Sequence, residues 1–250
     1  MRGTRLLLVW LPCVGVACSS NNSTPDAGNP TPDASVADAS EASTSNDADV
    51  GDATLDAADG AVAQDCNGSY PVGPYGANVG DVITNLSWTG KTDSNMNGIV
   101  SDDAYTTLCF ATAFQNPKIQ VLVIIGSAVW CQPCNQEEPE LVSLYQSYQA
   151  DGGHVAFLEV LLDGTFVGTA PTMNNFQNWT TKYKQPYDVA IGDQPHVLNA
   201  YNPDMGYPFH VVVRTSTMQI VSEATGYDTP GLKNAIDAAL GKGPQDAATD

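Results

Sequence analysis

The sequence predicts an α/β domain with a central mixed sheet flanked by helices, and three observations point there. Residues 121–125 and 154–162 are apolar runs containing many β-branched or bulky side chains, the pattern of strands buried on both faces. After the first run, apolar residues recur at helical spacing, at Leu141, Leu144, Tyr145 and Tyr148. The chain then closes with two extended segments, 209–214 and 218–223, joined by a Thr-Ser-Thr turn and followed by a helix over 229–240 with Leu232, Ile236 and Leu240 on one face.

What precedes the domain has a different composition. A basic start with Arg2 and Arg5 leads into an apolar run, 6–17, too short to span a bilayer, which reads as a secretory signal over 1–17. Val16-Ala17-Cys18-Ser19 resembles the bacterial lipoprotein signal, with Gly15 standing where Leu is usual, and implies Cys18 as the lipidated first residue of the mature chain. Ordinary signal cleavage is the alternative. Residues 18–64 are dominated by Ser, Thr, Ala, Asp, Asn, Gly and Pro and contain no aromatic residue, Lys or Arg, so they cannot bury a core and read as a disordered tether. The chain carries 28 acidic against 9 basic residues, a formal net charge of -19, which argues against nucleic acid or an anionic membrane surface as partner. Nine of those acids fall between Asp26 and Asp59, so the domain itself, 65–241, is only moderately acidic, and 242–250 reads as a flexible tail.

Within the domain, 79–83 and 85–88 look like short strands of an N-terminal β extension. Asp93, Asn95, Asn97 and Gly98 match the first half of a calcium loop, but Ala104 occupies the position that needs a bidentate Glu and Asp103 comes one residue early. A polar connecting loop is the preferred reading and calcium the alternative. A helix follows the strand at 121–125 and carries 140–149, Gly152-Gly153 ends it, and a second helix runs over 172–184 between Pro171 and Pro186.

Six cysteines divide by segment: Cys13 leaves with the signal, Cys18 is the lipidation candidate, and Cys66, Cys109, Cys131 and Cys134 stay in the domain. Cys131 and Cys134 lie one helical turn apart where a strand gives way to a helix, close enough to cycle between dithiol and disulfide; Cys66 and Cys109 are left to pair as a structural bridge. Unpaired N–H groups at a helix start favour a thiolate at Cys131, the nucleophile, whereas Cys134, inside the first turn and more buried, stays protonated until it resolves the mixed disulfide. A zinc half-site is the other use of CxxC, but there is no second CxxC, and His154, His196 and His210 show no ligand spacing, so no metal is assigned.

Trp130-Cys131-Gln132-Pro133-Cys134, Pro139 five residues on, and Gly206-Tyr207-Pro208-Phe209 before a strand together resemble the exported, membrane-tethered thiol-disulfide oxidoreductases of the TlpA/ResA type, in the redoxin and AhpC/TSA-like group. The resemblance covers about residues 79–240 and implies a thioredoxin fold, a cis bond at Pro208, and client contacts from Trp130, Pro133, Tyr207 and Pro208. It also implies a proton-handling role for Glu137, three residues after Cys134. Where cytoplasmic thioredoxins carry a buried acid on the central strand, this chain has only apolar residues up to Ile125, leaving proton transfer to Glu137 or water. A solvent-facing Glu137 and a merely packed His210 are the plain alternatives. The expected activity is thiol-disulfide exchange on exported client proteins, as a reductase, with no cofactor beyond the redox-active disulfide. The expected partners are those clients and a membrane or periplasmic electron donor; the expected place is the periplasmic side of a bacterial membrane, held by the lipid anchor. Three other classes stand beside it. Peroxide reduction is disfavoured by Ala128 and Ile124, a Sco-like copper chaperone by CxxC in place of CxxxC, and a non-catalytic binding module by the intact pair.

Overall fold

The computed structural model describes residues 66–192 and 196–242. The signal segment, Cys18, the tether and residues 243–250 lie outside them. The elements in chain order are β1 (Ser87–Lys91), β2 (Tyr105–Cys109), α1 (Phe110–Gln115), β3 (Val121–Ala128), α2 (Gln132–Ala150), β4 (Val155–Asp163), α3 (Met173–Tyr183), β5 (Asp188–Ile191), β6 (Phe209–Arg214), β7 (Gln219–Thr225) and α4 (Thr229–Ala239).

The seven strands form one sheet in the order β2-β1-β5-β4-β3-β6-β7. β3, β4 and β5 are parallel, and every other pairing is antiparallel. Because β3, β4 and β5 step across the sheet in one direction, right-handed crossovers put α2 and α3 on the same face. With α4 they cover the core of Val121, Val123, Ile125, Phe157, Val189 and Val212. The opposite face, built on Leu122, Ile124, Leu158, Val160, Val211 and Val213, is closed by Phe110 of α1, by Leu198 and Tyr201 of a short 3-10 turn, and by the N-terminal segment through Ile83. This is a thioredoxin-like α/β fold with an N-terminal β extension. Burial on both faces explains why β3 is apolar throughout its first five residues.

Two local expectations change. Residues 79–83 form no regular strand: Gly80 turns the chain at φ 98°, and Val82 makes only isolated bridges to Tyr75 and Gln219. The segment instead covers the outer edge of β7, with Ile83 N–H donating to Met218 O and Ile220 N–H to Asp81 O. The second strand starts at Ser87 rather than 85, because Asn85 is engaged by its side chain, donating to Cys66 O and accepting from Ala111 N–H. β2 and β5 carried no clear sequence pattern. The helix over 172–184 is α3 with its caps, Thr172 and Asn175 forming a reciprocal capping box and Lys184 closing it in the left-handed region.

Cys66 and Cys109 are bonded, with Cα atoms 5.8 Å apart across a separation of 43 residues. In the loop with the calcium-like spacing, Asp93 accepts from Asn97 and Gly98 N–H, and Asn97 Oδ1 accepts from Ile99 N–H. Its oxygens serve the loop's own backbone, as Asx turns do. Among the described residues no group of three His, Cys, Asp or Glu is placed to hold a metal ion.

Candidate redox site

β3 delivers the chain to the site and α2 carries it away. Cys131 is the N-cap of α2 in extended conformation, and its sulfur accepts the Cys134 N–H at 3.1 Å. Pro133 falls in the first turn, where a missing N–H costs nothing. Cys131 and Cys134 form a disulfide with Cα atoms 5.3 Å apart. Both cysteines are only 1% exposed, so burial does not separate them, contrary to the expectation that Cys134 is the deeper. Their positions do: one sulfur sits at the helix start and receives a backbone donor, the other projects from within the first turn.

Trp130 is 39% exposed at the rim. Its ring meets that of Tyr207 edge-on at 5.9 Å, and its indole Nε1 donates to Asp163 Oδ2 at 3.0 Å. The same oxygen accepts the Gly168 N–H at 2.9 Å, while His196 Nε2 lies 3.2 Å from Asp163 Oδ1. Tyr207–Pro208 is cis. The Pro208 carbonyl accepts from Gly226 N–H and the Gly206 carbonyl from the Asn202 side chain. On the other flank, Asn135 donates to the carbonyls of Cys131 and Val129 and accepts from Lys182 and Tyr183 of α3. The structure thus brings Trp130, Cys131, Pro133, Cys134, Tyr207 and Pro208 together and adds Asp163 and Asn135. Cys66 and Cys109 lie elsewhere, on the β2 side of the sheet.

Beneath the pair lies charge that the sequence reading did not place. Ile125 is flanked in register by Glu159 on β4 and His210 on β6, so the three side chains form a row under α2. Glu137 is fully buried, with Oε2 3.0 Å from His210 Nε2; neither is a solvent-facing or merely packed residue. Glu138, also fully buried, meets Glu159 in a carboxyl pair. Glu138 Oε2 accepts from Tyr187 Oη and Gln185 Nε2, and Glu159 accepts from Trp179 Nε1 and from the other reach of Gln185 Nε2. Burial, reinforced by the Glu159 charge, pushes the Glu138 carboxyl well above the ordinary range, and burial raises Glu159 too. Trp179 also belongs to the buried cluster of Cys131, Cys134, Ala128 and Leu161. A lone acid within the apolar run 154–162, and a Glu four residues after Cys134, were the available signals for this pair.

No protein-family model matches the sequence, and no curated protein matches it. Solved structures are similar to it in part. An uncharacterized conserved protein from Geobacillus kaustophilus superposes with a TM-score of 0.51 at 15% identity, over 70% of this chain and 88% of that one. A thiol:disulfide interchange protein of the thioredoxin family from Chlorobium tepidum gives 0.44 at 18% identity, over 68% and 99%. The pneumococcal exposed lipoprotein thioredoxin Etrx1 gives 0.45 at 19%, over 64% and 99%. At these identities the likeness concerns the fold.

Proposed function

We propose that this chain is a thiol-disulfide oxidoreductase of the TlpA/ResA type, acting on exported client proteins by reducing them. The observation that carries this reading is the Cys131–Cys134 disulfide at the start of α2, beside the cis Tyr207–Pro208 loop. In the reduced protein Cys131 is the nucleophile: the Cys134 N–H and the helix start favour its thiolate. It attacks a client disulfide and forms a mixed disulfide, and Cys134 then attacks Cys131 Sγ, releasing the reduced client. Trp130, Pro133, Tyr207 and Pro208 face the client. With the Gly206 and Pro208 carbonyls engaged inside the protein, and no backbone hydrogen bond to Tyr207 among the described residues, Tyr207 offers its main chain to an extended segment. Glu137, bonded to His210 one residue beyond Phe209, links α2 to the strand that carries this loop and serves proton handling.

The second disulfide, Cys66–Cys109, is a bridge of the kind oxidising compartments sustain, which supports export. Cleavage after residue 17, lipidation of Cys18 and the 18–64 tether would hold the domain on the periplasmic side, with the membrane contacted through the lipid alone. No cofactor is needed beyond the cysteine pair. A membrane or periplasmic donor resets it. The test is reduction of insulin by the purified protein, with Cys131→Ser abolishing activity and Cys134→Ser accumulating mixed disulfides with clients. Undiminished activity in Cys131→Ser overturns the reading.

A further inference from the structure

Resolution of the mixed disulfide needs a proton acceptor for Cys134, which is buried at 1% exposure. We propose that Glu138 and Glu159 share one proton under the cysteine pair and act together as the base that deprotonates Cys134 and the acid that returns the proton. The inference rests on the thiol-disulfide exchange proposed above. Three placements carry it. Glu138 follows Cys134 by four residues on α2, so the two side chains lie on one face of the helix. Glu159 stands beside Ile125, on the strand next to the one that ends at the cysteines. Trp179 ties the two levels, donating to Glu159 while sharing one buried cluster with the cysteines.

The hydrogen-bonding pattern locates the proton. Glu138 Oε2 takes the Tyr187 and Gln185 donors, whereas the buried Oε1 meets no donor. Glu138 and Glu159 also bond each other side chain to side chain, and of two facing carboxyls only one that carries an O–H can donate, so a proton sits between them. The remaining groups around the pair do not supply a counter-charge. Ser127 on β3 bonds Glu159, Tyr183 and Trp179 come from α3, and Gln185 and Tyr187 from the segment entering β5. Glu137 on α2 is occupied with His210 of β6, and the Lys182 ammonium goes to Asn135 and Tyr183. A pair of carboxyls buried together is costly to folding, and such pairs are found where a proton must be held at neutral pH.

The step balances. Cys134 S–H gives its proton to the carboxylate of the pair, which becomes fully protonated. The Cys134 thiolate attacks Cys131 Sγ, the new S–S bond forms, and the bond from Cys131 to the client sulfur breaks. The client leaves as a thiolate that takes a proton from the pair or from solvent. Two electrons have passed from the protein dithiol to the client disulfide.

The test uses the full chain carrying glutathione on Cys131 as a mixed disulfide, and follows glutathione release between pH 5 and 9. The rate of Cys131 alkylation by iodoacetamide in the reduced protein serves as reference. Glu138→Gln and Glu159→Gln should lower release relative to alkylation by about a hundredfold at pH 7, the lower end of the range of general-base assistance. The midpoint of the release profile should move up toward that of an unassisted thiol, roughly 8.5. Loss of packing alone would not move that midpoint. In the wild type, 13C NMR of labelled glutamate should show a carboxyl that titrates above the ordinary range, with a midpoint that differs between the oxidised and reduced protein. This readout does not depend on a variant folding. Release ratios and midpoints equal to wild type, or all buried glutamates titrating near the ordinary value of about 4.3, overturn the proposal. Failure of the wild type to release glutathione at any pH sinks the exchange reading along with it, whereas release unaffected by both substitutions sinks only the carboxyl pair.

Discussion

Asp163 is the residue on which the rim of the redox site hangs, and replacing it measures how much. It closes β4, is 3% exposed, and uses Oδ2 to accept from Trp130 Nε1 at 3.0 Å and Gly168 N–H at 2.9 Å, with His196 Nε2 at 3.2 Å from Oδ1. Hydrogen bonds to an ionised acceptor contribute about 1.5–3 kcal/mol each. Trp130 and Gly168 are partly or largely open to solvent and regain water when the acceptor goes, so Asp163→Ala should cost about 2 kcal/mol rather than the sum. Asp163→Asn keeps one oxygen for both Oδ2 donors and loses only the negative charge facing His196; it should cost about 1 kcal/mol or less. Urea unfolding followed by far-ultraviolet circular dichroism gives both values. Acrylamide quenching of tryptophan fluorescence should rise in Asp163→Ala as Trp130 leaves its position beside Tyr207. Alanine and asparagine variants of equal stability, or an alanine variant within about 0.5 kcal/mol of wild type with unchanged quenching, would refute the tether.

Two further outcomes follow from packing and covalent structure. Removing both Cys66 and Cys109 as serines opens a 43-residue separation and should lower stability by about 4 kcal/mol through the unfolded chain, measured as a shift in the urea midpoint; a loss below about 1 kcal/mol contradicts this. In Gly126→Ala the new Cβ would lie 2.0 Å from Phe209 Cε1, and Phe209 is fully buried directly after Pro208. The ring must move and the cis loop with it, costing about 1–3 kcal/mol and reducing disulfide exchange by more than the unfolded fraction explains. Activity that simply tracks the folded fraction would disconnect Phe209 from the loop.

Much of the layout was legible because burial on both faces leaves a signature no loop produces. The apolar run at 121–125, the run ending at Leu162 and the helical spacing from Leu141 to Tyr148 are direct consequences of a parallel centre under helices. β5 escaped because four residues are too few for any period to declare itself, and β2 because Thr106 and Thr107 break the apolar pattern on an outer strand. Residues 79–83 misled for the opposite reason: they carry strand-like residues, but Gly80 turns the backbone and Ile83 finds its burial against β7's edge.

By itself the sequence determined the chemistry along the chain: two thiols one turn apart at a strand-to-helix junction, a tryptophan before them, and a Tyr-Pro step ahead of a strand. Such features are local in number, and spacing along the backbone is enough to define them. Only the tertiary structure decided which charges lie underneath. Glu137 and Glu138 are adjacent on one helix, yet one reaches His210 on β6 and the other Glu159 on β4, because α2 crosses the sheet between those strands. Ile125 on the central strand has a buried acid, Glu159, beside it on the next strand, and cross-strand register, which no linear spacing encodes, puts it there.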